Sequence, residues 1–118
     1  MSDARAIARE RLQHMVDAAD AIAEYVARGR HAFETDPAVE DAILFRIVVI
    51  GEAAKAVVQR DPALATDLSS VEWSALARMR DRVTHQYWAI DPQIVWDTAV
   101  GDIPEVRRLV AGALARLR

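Results

Sequence analysis

The stretch AILFRIVVIGEAAKAVV, residues 42–58, is apolar on almost every side when it is placed on a helix. A helix that is hydrophobic all round is buried by its neighbours. Upstream, Asp36 followed by Pro37 supplies an N-cap and a first helical residue. Downstream, Pro62 ends the segment near Arg60. The sequence therefore predicts that this stretch forms the central helix of the fold.

The remaining segments also have helical patterns, punctuated by four glycines and four prolines. A first helix is expected over residues 2–28, where Gly29 is a plausible stop. Ser69 with Glu72 three residues later fits a capping box. This box predicts a third helix that ends near residues 84–87.

Asp91 and Pro92 likewise supply an N-cap and a first helical residue, so a fourth helix is expected to begin there. Pro104 either kinks that helix or divides it into segments 92–100 and 104–117. No stretch alternates with period two for long enough to indicate a strand. The predicted fold class is all-α, a bundle of four to five helices.

Length and composition limit the class of protein. The 118 residues correspond to one domain, 1–118. Hydrophobic residues make up 53%, which is enough for a core, and the absence of cysteine excludes disulfides and thiolate metal sites. The net charge of −3 argues against a globally basic nucleic-acid binder, so contact with RNA would have to be local. No signal peptide or membrane span is evident, and a cytoplasmic protein is expected.

The segment RMRDRVTHQYW, residues 78–88, carries most of the candidate chemistry. On a helix, Arg80 falls within an apolar stripe, so it either pairs with a carboxylate as a structural residue or lies at a cleft. His85 lies about 140° around the helix from Arg80. The two side chains would therefore meet only if the helix unwinds or if a second subunit brings them together.

Other polar residues near this segment allow two interpretations each. Asp81 is four residues before His85 and forms with it either a surface ion pair or an oriented acid–base group. Tyr87 is either a functional residue or a packing partner of Trp88. Glu52 is either functional or a polar residue on a helix flank. Glu-x-x-His, His-Glu-x-x-His and P-loop motifs are absent from the sequence.

Arg80-Asp81-x-x-x-His85-x-Tyr87 resembles the R-x4-H-x-Y motif of the HepT family, which belongs to the HEPN-domain ribonucleases. Ile50 to Lys55, IGEAAK, is similar to a segment of the same family on its second helix. Further positions that fit the family pattern extend the resemblance to roughly residues 3–117: Trp73, Met79, Ile90, Asp91, Val95, Trp96, Ile103 and Pro104.

The resemblance implies a helical bundle that forms a two-fold homodimer, in which the motifs of both protomers line one cleft. It implies RNA as the substrate and cleavage without a metal or another cofactor. It also implies that the chain is the toxin of a toxin–antitoxin pair, whose partner, a small MNT-type nucleotidyltransferase antitoxin, binds the toxin and adenylylates Tyr87. Arg78 and Arg82, which flank Arg80, are expected to contact RNA.

The residue types agree with this chemistry. Attack of a ribose 2′-OH on the adjacent phosphate needs a base, an acid and a positive charge that stabilises the phosphorane. In a dimer two copies of His85 supply the acid and the base, because imidazole titrates near neutral pH. Arg80 is expected to stabilise the phosphate and Asp81 to orient His85. The expected product is a cyclic phosphate.

Two other interpretations remain open. The first is a non-catalytic helical partner that binds a nucleotide or a nucleotidyltransferase, with Arg80 and His85 as ligand contacts. The second is a plain helical bundle in which Arg80 and Asp81 belong to a buried polar network. Intact Arg80 and His85 permit catalysis without requiring it.

Overall fold

The computed structural model describes residues 2–117; Met1 and Arg118, the ends of the expected domain, lie outside the described residues. The fold is all-α, and no strand occurs within residues 2–117. Four long helices form the bundle, and three helices of six residues connect them. In chain order the α-helices are α1 (Ser2–Val26), α2 (Arg30–Thr35), α3 (Pro37–Arg60), α4 (Pro62–Asp67), α5 (Trp73–Gln86), α6 (Pro92–Asp97) and α7 (Ile103–Leu117).

Helix α3 is central, as its apolar composition predicts. It packs against α1 on one side and α5 on the other, and α1 in turn packs against α7. Fully buried side chains from three helices, among them Leu12, Ile43 and Val110, meet in the core. Each such burial contributes about 1.5–3 kcal/mol. Two apolar positions of α3 depart from the expected all-round burial, because Phe45 is 60% exposed and Val58 is 40% exposed.

The predicted proline caps are confirmed. The Asp36 carboxylate accepts a hydrogen bond from the backbone N–H of Ala38 at 3.0 Å. The Asp91 carboxylate accepts one from the N–H of Gln93 at 2.9 Å. Each bond satisfies a backbone donor that has no partner inside its helix. Local chemistry thus determines where α3 and α6 begin.

The predicted capping box at Ser69 and Glu72 is wrong. Helix α5 begins at Trp73, and the side chain of Glu72 makes no capping hydrogen bond. Asp61 instead caps α4, which the sequence did not indicate, by accepting a hydrogen bond from the Leu64 N–H. The Trp73 indole N–H lies 3.1 Å from the carbonyl oxygens of two residues at the end of α4, Ala65 and Leu68. This contact joins the end of α4 to the start of α5.

The chain turns at Gly29 as expected, but α1 ends at Val26 rather than Arg28. Gly29 has a φ of 95°, a conformation that residues with a side chain rarely adopt. Immediately after it the chain forms α2, whose Phe33 is buried. The short helix was not predicted, because a single buried residue leaves little periodic pattern.

Pro104 neither breaks the fourth predicted helix nor leaves it regular. A π-helical turn, Thr98–Asp102, connects α6 to α7 without a gap. The Ile103 N–H donates to the carbonyl of Thr98, five residues earlier. Pro104 has no N–H to donate, and the wider turn accommodates this loss.

No helix within residues 2–117 is both long enough and apolar enough to cross a membrane.

Candidate functional site

The motif helix α5 lies close to α3 because Gly51 has no side chain. A Cβ atom at Gly51 would stand 2.2 Å from the Cβ of Arg80 and 2.8 Å from the carbonyl oxygen of Leu76. Neither distance is possible for non-bonded atoms. Leu76 and Val83 are the buried residues of α5. The glycine of the GEAAK segment therefore determines how near Arg80 comes to α3.

Arg80 is held between two carboxylates. Its Nε lies 2.5 Å from Oε1 of Glu52 on α3. The Nε–H makes no hydrogen bond within residues 2–117, so this contact is an ion pair. Its Nη1 donates a hydrogen bond of 3.0 Å to Oδ1 of Asp81. The side chain is 23% exposed, so the guanidinium is largely screened from solvent while its charge is balanced.

Asp81 joins Arg80 to a second cation. Lys55 Nζ, one turn after Glu52 on α3, lies 3.5 Å from the same Oδ1. The hydrogen bond from Arg80 lowers the pKa of Asp81 against the opposing effect of partial burial, and the charge of Lys55 lowers this pKa further. Asp81 is therefore ionised at neutral pH.

Glu52, Lys55, Arg80 and Asp81 form one group, which we call the α3–α5 charge cluster. It contains two carboxylates and two cations, so its formal charge is zero. Arg80 and Asp81 were predicted as site residues from the sequence. The role of Glu52 was left open, and Lys55 was noted only within the IGEAAK segment of the family resemblance. Spacing along the chain does not reveal contacts that join two helices.

His85 stands apart from this cluster. It is exposed on α5, which is helical from Arg80 through His85. No hydrogen bond or ion pair joins Asp81 to His85 within the part of the chain that is described. The predicted contact between them is therefore not formed here; the Asp81 carboxylate contacts Arg80 and Lys55 instead, both through Oδ1. A single chain leaves Arg80 and His85 about 140° apart around the helix.

Tyr87 and Trp88 follow where the helix changes. Helix α5 ends at Gln86, and Tyr87–Ala89 form a 3-10 turn. Tyr87 is 66% exposed and Trp88 is 73% exposed. Their rings meet edge to face with centroids 5.4 Å apart. They pair as the packing interpretation expects, but on the surface rather than in the core.

The remaining candidates lie at the surface. Arg78 and Arg82 are exposed, and neither forms an ion pair within residues 2–117. A cleft of about 390 Å³ between α5 and α7 has Ile47 and Ile50 among its lining residues, but it includes neither Arg80 nor His85. His85 and Tyr87 therefore lie on the surface of the monomer outside this cleft, whereas Arg80 is partly buried between α3 and α5.

The fold and the motif helix define an all-α domain whose surface presents an arginine and a histidine, groups suited to an anionic phosphate. The chain belongs to the family described as Ribonuclease HepT-like, whose model matches residues 15–112. This membership confirms the family resemblance and places the chain in a ribonuclease family. No solved structure matches the chain.

Similar proteins carry ribonuclease names. "Putative RNase TTE0752" of Caldanaerobacter subterraneus subsp. tengcongensis is 31% identical over 84 residues, 71% of this chain and 72% of that protein. "Probable ribonuclease HepT" of Thermococcus cleftensis is 31% identical over 75 residues, 64% of this chain and 66% of that protein. "Gamma-glutamylcyclotransferase and putative RNase MJ0434" of Methanocaldococcus jannaschii is 26% identical over 107 residues, 90% of this chain. The chain spans 47% of that last, longer relative.

Proposed function

We propose that this protein is the toxin of a toxin–antitoxin pair and that it cleaves RNA as a metal-independent endoribonuclease. The observation that carries the proposal is the arrangement of Arg80 and His85. Arg80 is held in place by carboxylates from two helices, and His85 is exposed on the same helix, in a member of a ribonuclease family. An immobilised guanidinium stabilises phosphate charge, and an exposed imidazole is free to exchange protons.

The proposed reaction needs two imidazoles. One removes the proton of the ribose 2′-OH as its oxygen attacks the adjacent phosphorus. The other donates a proton to the departing 5′ oxygen. The products are a 2′,3′-cyclic phosphate and a new 5′-hydroxyl end. Arg80 stabilises the negative charge of the phosphorane, so no metal ion is required.

A two-fold dimer supplies what a single chain lacks. The motif of one chain contains one histidine, and the helical geometry separates it from Arg80. In a C2 dimer the same surface of each chain contributes, so two copies of Arg80 and of His85 reach one cleft. The exposed position of His85 on the monomer supports this assembly.

The other motif residues have supporting roles in this proposal. Asp81 holds Arg80 through the hydrogen bond described above, and it orients His85 only if the dimer rearranges its partners. Arg78 and Arg82 contact the RNA backbone, where exposed arginines neutralise phosphate charge. The exposed rings of Tyr87 and Trp88 offer surfaces on which unpaired bases stack, so the substrate is RNA with unpaired bases at the cut.

Tyr87 is the proposed control point. An MNT-type nucleotidyltransferase antitoxin binds the toxin and transfers AMP from ATP to the phenolic oxygen. The tyrosine loses its proton and pyrophosphate leaves. The exposure of Tyr87 makes its hydroxyl accessible. A bulky anion two residues from His85 repels RNA and blocks the cleft, which neutralises the toxin.

The test is RNA cleavage by the purified protein in the presence of EDTA. Replacing Arg80 or His85 by alanine is expected to reduce the rate on the order of 10²-fold or more. His31→Ala is the matched control, since His31 is an exposed histidine on α2 outside the motif. A folded His85→Ala dimer that cleaves at the wild-type rate would refute the proposal.

The second candidate is a non-catalytic subunit that binds a nucleotide or a nucleotidyltransferase. The neutral charge cluster favours it, because Arg80 already has two carboxylate partners. Growth arrest on expression separates the two candidates. Expression of a ribonuclease toxin arrests growth, and His85→Ala abolishes the arrest. A binding subunit arrests growth neither as the wild-type protein nor as the His85→Ala variant.

A further inference from the structure

We infer that Glu52 is a positioning residue of the site. It fixes the Arg80 guanidinium and, by cancelling its charge, weakens the binding of RNA. The inference rests on the proposed ribonuclease function and deepens it by adding a residue from α3 to the R-x4-H-x-Y motif. It follows from the contact of Glu52 with Arg80 across two helices.

Within residues 2–117, Arg80 is the one cation with which Glu52 forms an ion pair. Gly51 brings the backbone of α3 against the Cβ of Arg80, and Glu52 is the next residue. Its carboxylate oxygen reaches Arg80 Nε at 2.5 Å, while its side chain remains 54% exposed. Glu52 forms no other ion pair within residues 2–117. Its carboxylate is therefore committed to one guanidinium.

The three nitrogens of the Arg80 guanidinium have different partners. Nε faces Glu52 and Nη1 donates to Asp81. Nη2 donates no hydrogen bond within the described chain. The ion pair at Nε and the hydrogen bond from Nη1 together restrict the rotation of the guanidinium, and Nη2 is the donor group that remains for a phosphate. Asp81 alone would leave the group free to swing about one contact.

The negative charge of Glu52 is expected to weaken RNA binding, although its contact with Arg80 favours turnover. The α3–α5 charge cluster is neutral with Glu52 ionised, and it carries one positive charge without it. Removing that carboxylate therefore strengthens the attraction for RNA while it releases the arginine. A purely structural glutamate has no reason to change affinity and turnover in opposite directions.

The experiment measures turnover and RNA binding separately. Glu52→Ala is expected to lower kcat about 10- to 100-fold, the size of effect that misplacement of a reacting group produces. Glu52→Gln keeps the shape and one acceptor, so it loses less turnover. In a His85→Ala background, which binds without cutting, both changes are expected to tighten binding several-fold. The salt dependence of log K is expected to steepen by roughly 0.7.

Asp41→Asn is the matched control. Asp41 is exposed on the same helix and forms no ion pair within residues 2–117, so this variant removes one charge away from the cluster. If both Glu52 variants match Asp41→Asn in kcat and in RNA affinity, the inference fails. If the wild-type protein does not cut RNA, the proposed function fails first. Should Glu52→Ala not fold, Glu52→Gln alone decides between these outcomes.

Discussion

Glu52 Oε1 and Arg80 Nε lie 2.5 Å apart across the contact between α3 and α5, one residue beyond the glycine that lets the two helices touch. The GEAAK segment and the motif helix are thus two halves of one structure.

Gly51→Ala is expected to destabilise the protein by about 1–3 kcal/mol, because overpacking a close contact forces side chains and backbone to shift. The new methyl would stand 2.2 Å from Arg80 Cβ, so α5 must move away. Gly112→Ala is the control: its nearest neighbour is the flexible end of Arg116 at 3.6 Å. That change is expected to stabilise α7 by about 0.5–1 kcal/mol. Urea denaturation measures both, and equal effects of the two substitutions would contradict the close contact.

An excess of the His85→Ala chain is expected to inhibit the wild-type protein. Mixed dimers place one imidazole in a cleft that needs two, so the cleavage rate falls as inactive chain is added. Cleavage per wild-type chain is also expected to fall on dilution, because dimers dissociate. An equal amount of an unrelated folded protein is the control. A cleavage rate that changes neither with added His85→Ala chain nor on dilution would show that a monomer is sufficient for cleavage.

Tyr87→Phe is expected to abolish adenylylation and leave RNA cleavage intact, because the proposed reaction uses no phenolic proton. Co-expression with the neighbouring nucleotidyltransferase should add the mass of one AMP to the wild-type chain and none to the variant. Tyr25→Phe, at a half-buried tyrosine of α1, should still accept the AMP. Modification that persists in Tyr87→Phe would place the control point elsewhere.

Trp88→Ala is expected to weaken RNA binding, while Trp88→Phe retains most of it. Stacking of one base on an aromatic ring contributes about 1–3 kcal/mol. Trp88 is 73% exposed, so its loss leaves the core intact and thermal unfolding should change little. Fluorescence anisotropy with a single-stranded and a fully paired RNA compares the two substrates. Equal loss on both RNAs would argue against stacking of unpaired bases.

The pair of Arg5 and Asp61 is expected to make stability depend on acid pH. The hydrogen bond from Arg5, 2.6 Å long, lowers the pKa of Asp61 below its ordinary value of 3.8. A lowered folded pKa stabilises the protein above the unfolded value, and this contribution is lost as pH falls through the folded one. The unfolding temperatures of the wild-type protein and of Arg5→Met should therefore differ near neutral pH and converge in strong acid. A constant difference would contradict the linkage.

Local chemistry accounts for the parts of the fold that the sequence predicted. Asp36 and Asp91 cap helices through bonds to residues two positions away, so their role is visible in a short window. The capping box at Ser69 failed because Trp73 bonds to the end of α4, a helix too short to show periodicity. Competing contacts of this kind have no local signature.

The sequence by itself determined an all-α fold, its central helix and the identity of the motif residues, because periodicity, caps and residue type act over a few positions of the chain. Only the tertiary structure decided that Arg80 pairs with Glu52, and that Asp81 turns to Arg80 and Lys55 rather than to His85. The contacts of Glu52 with Arg80 and of Lys55 with Asp81 join residues at least 26 positions apart, on helices whose separation depends on one missing side chain at Gly51. Distance in space, which sets ion-pair energies, is fixed by packing rather than by spacing along the chain.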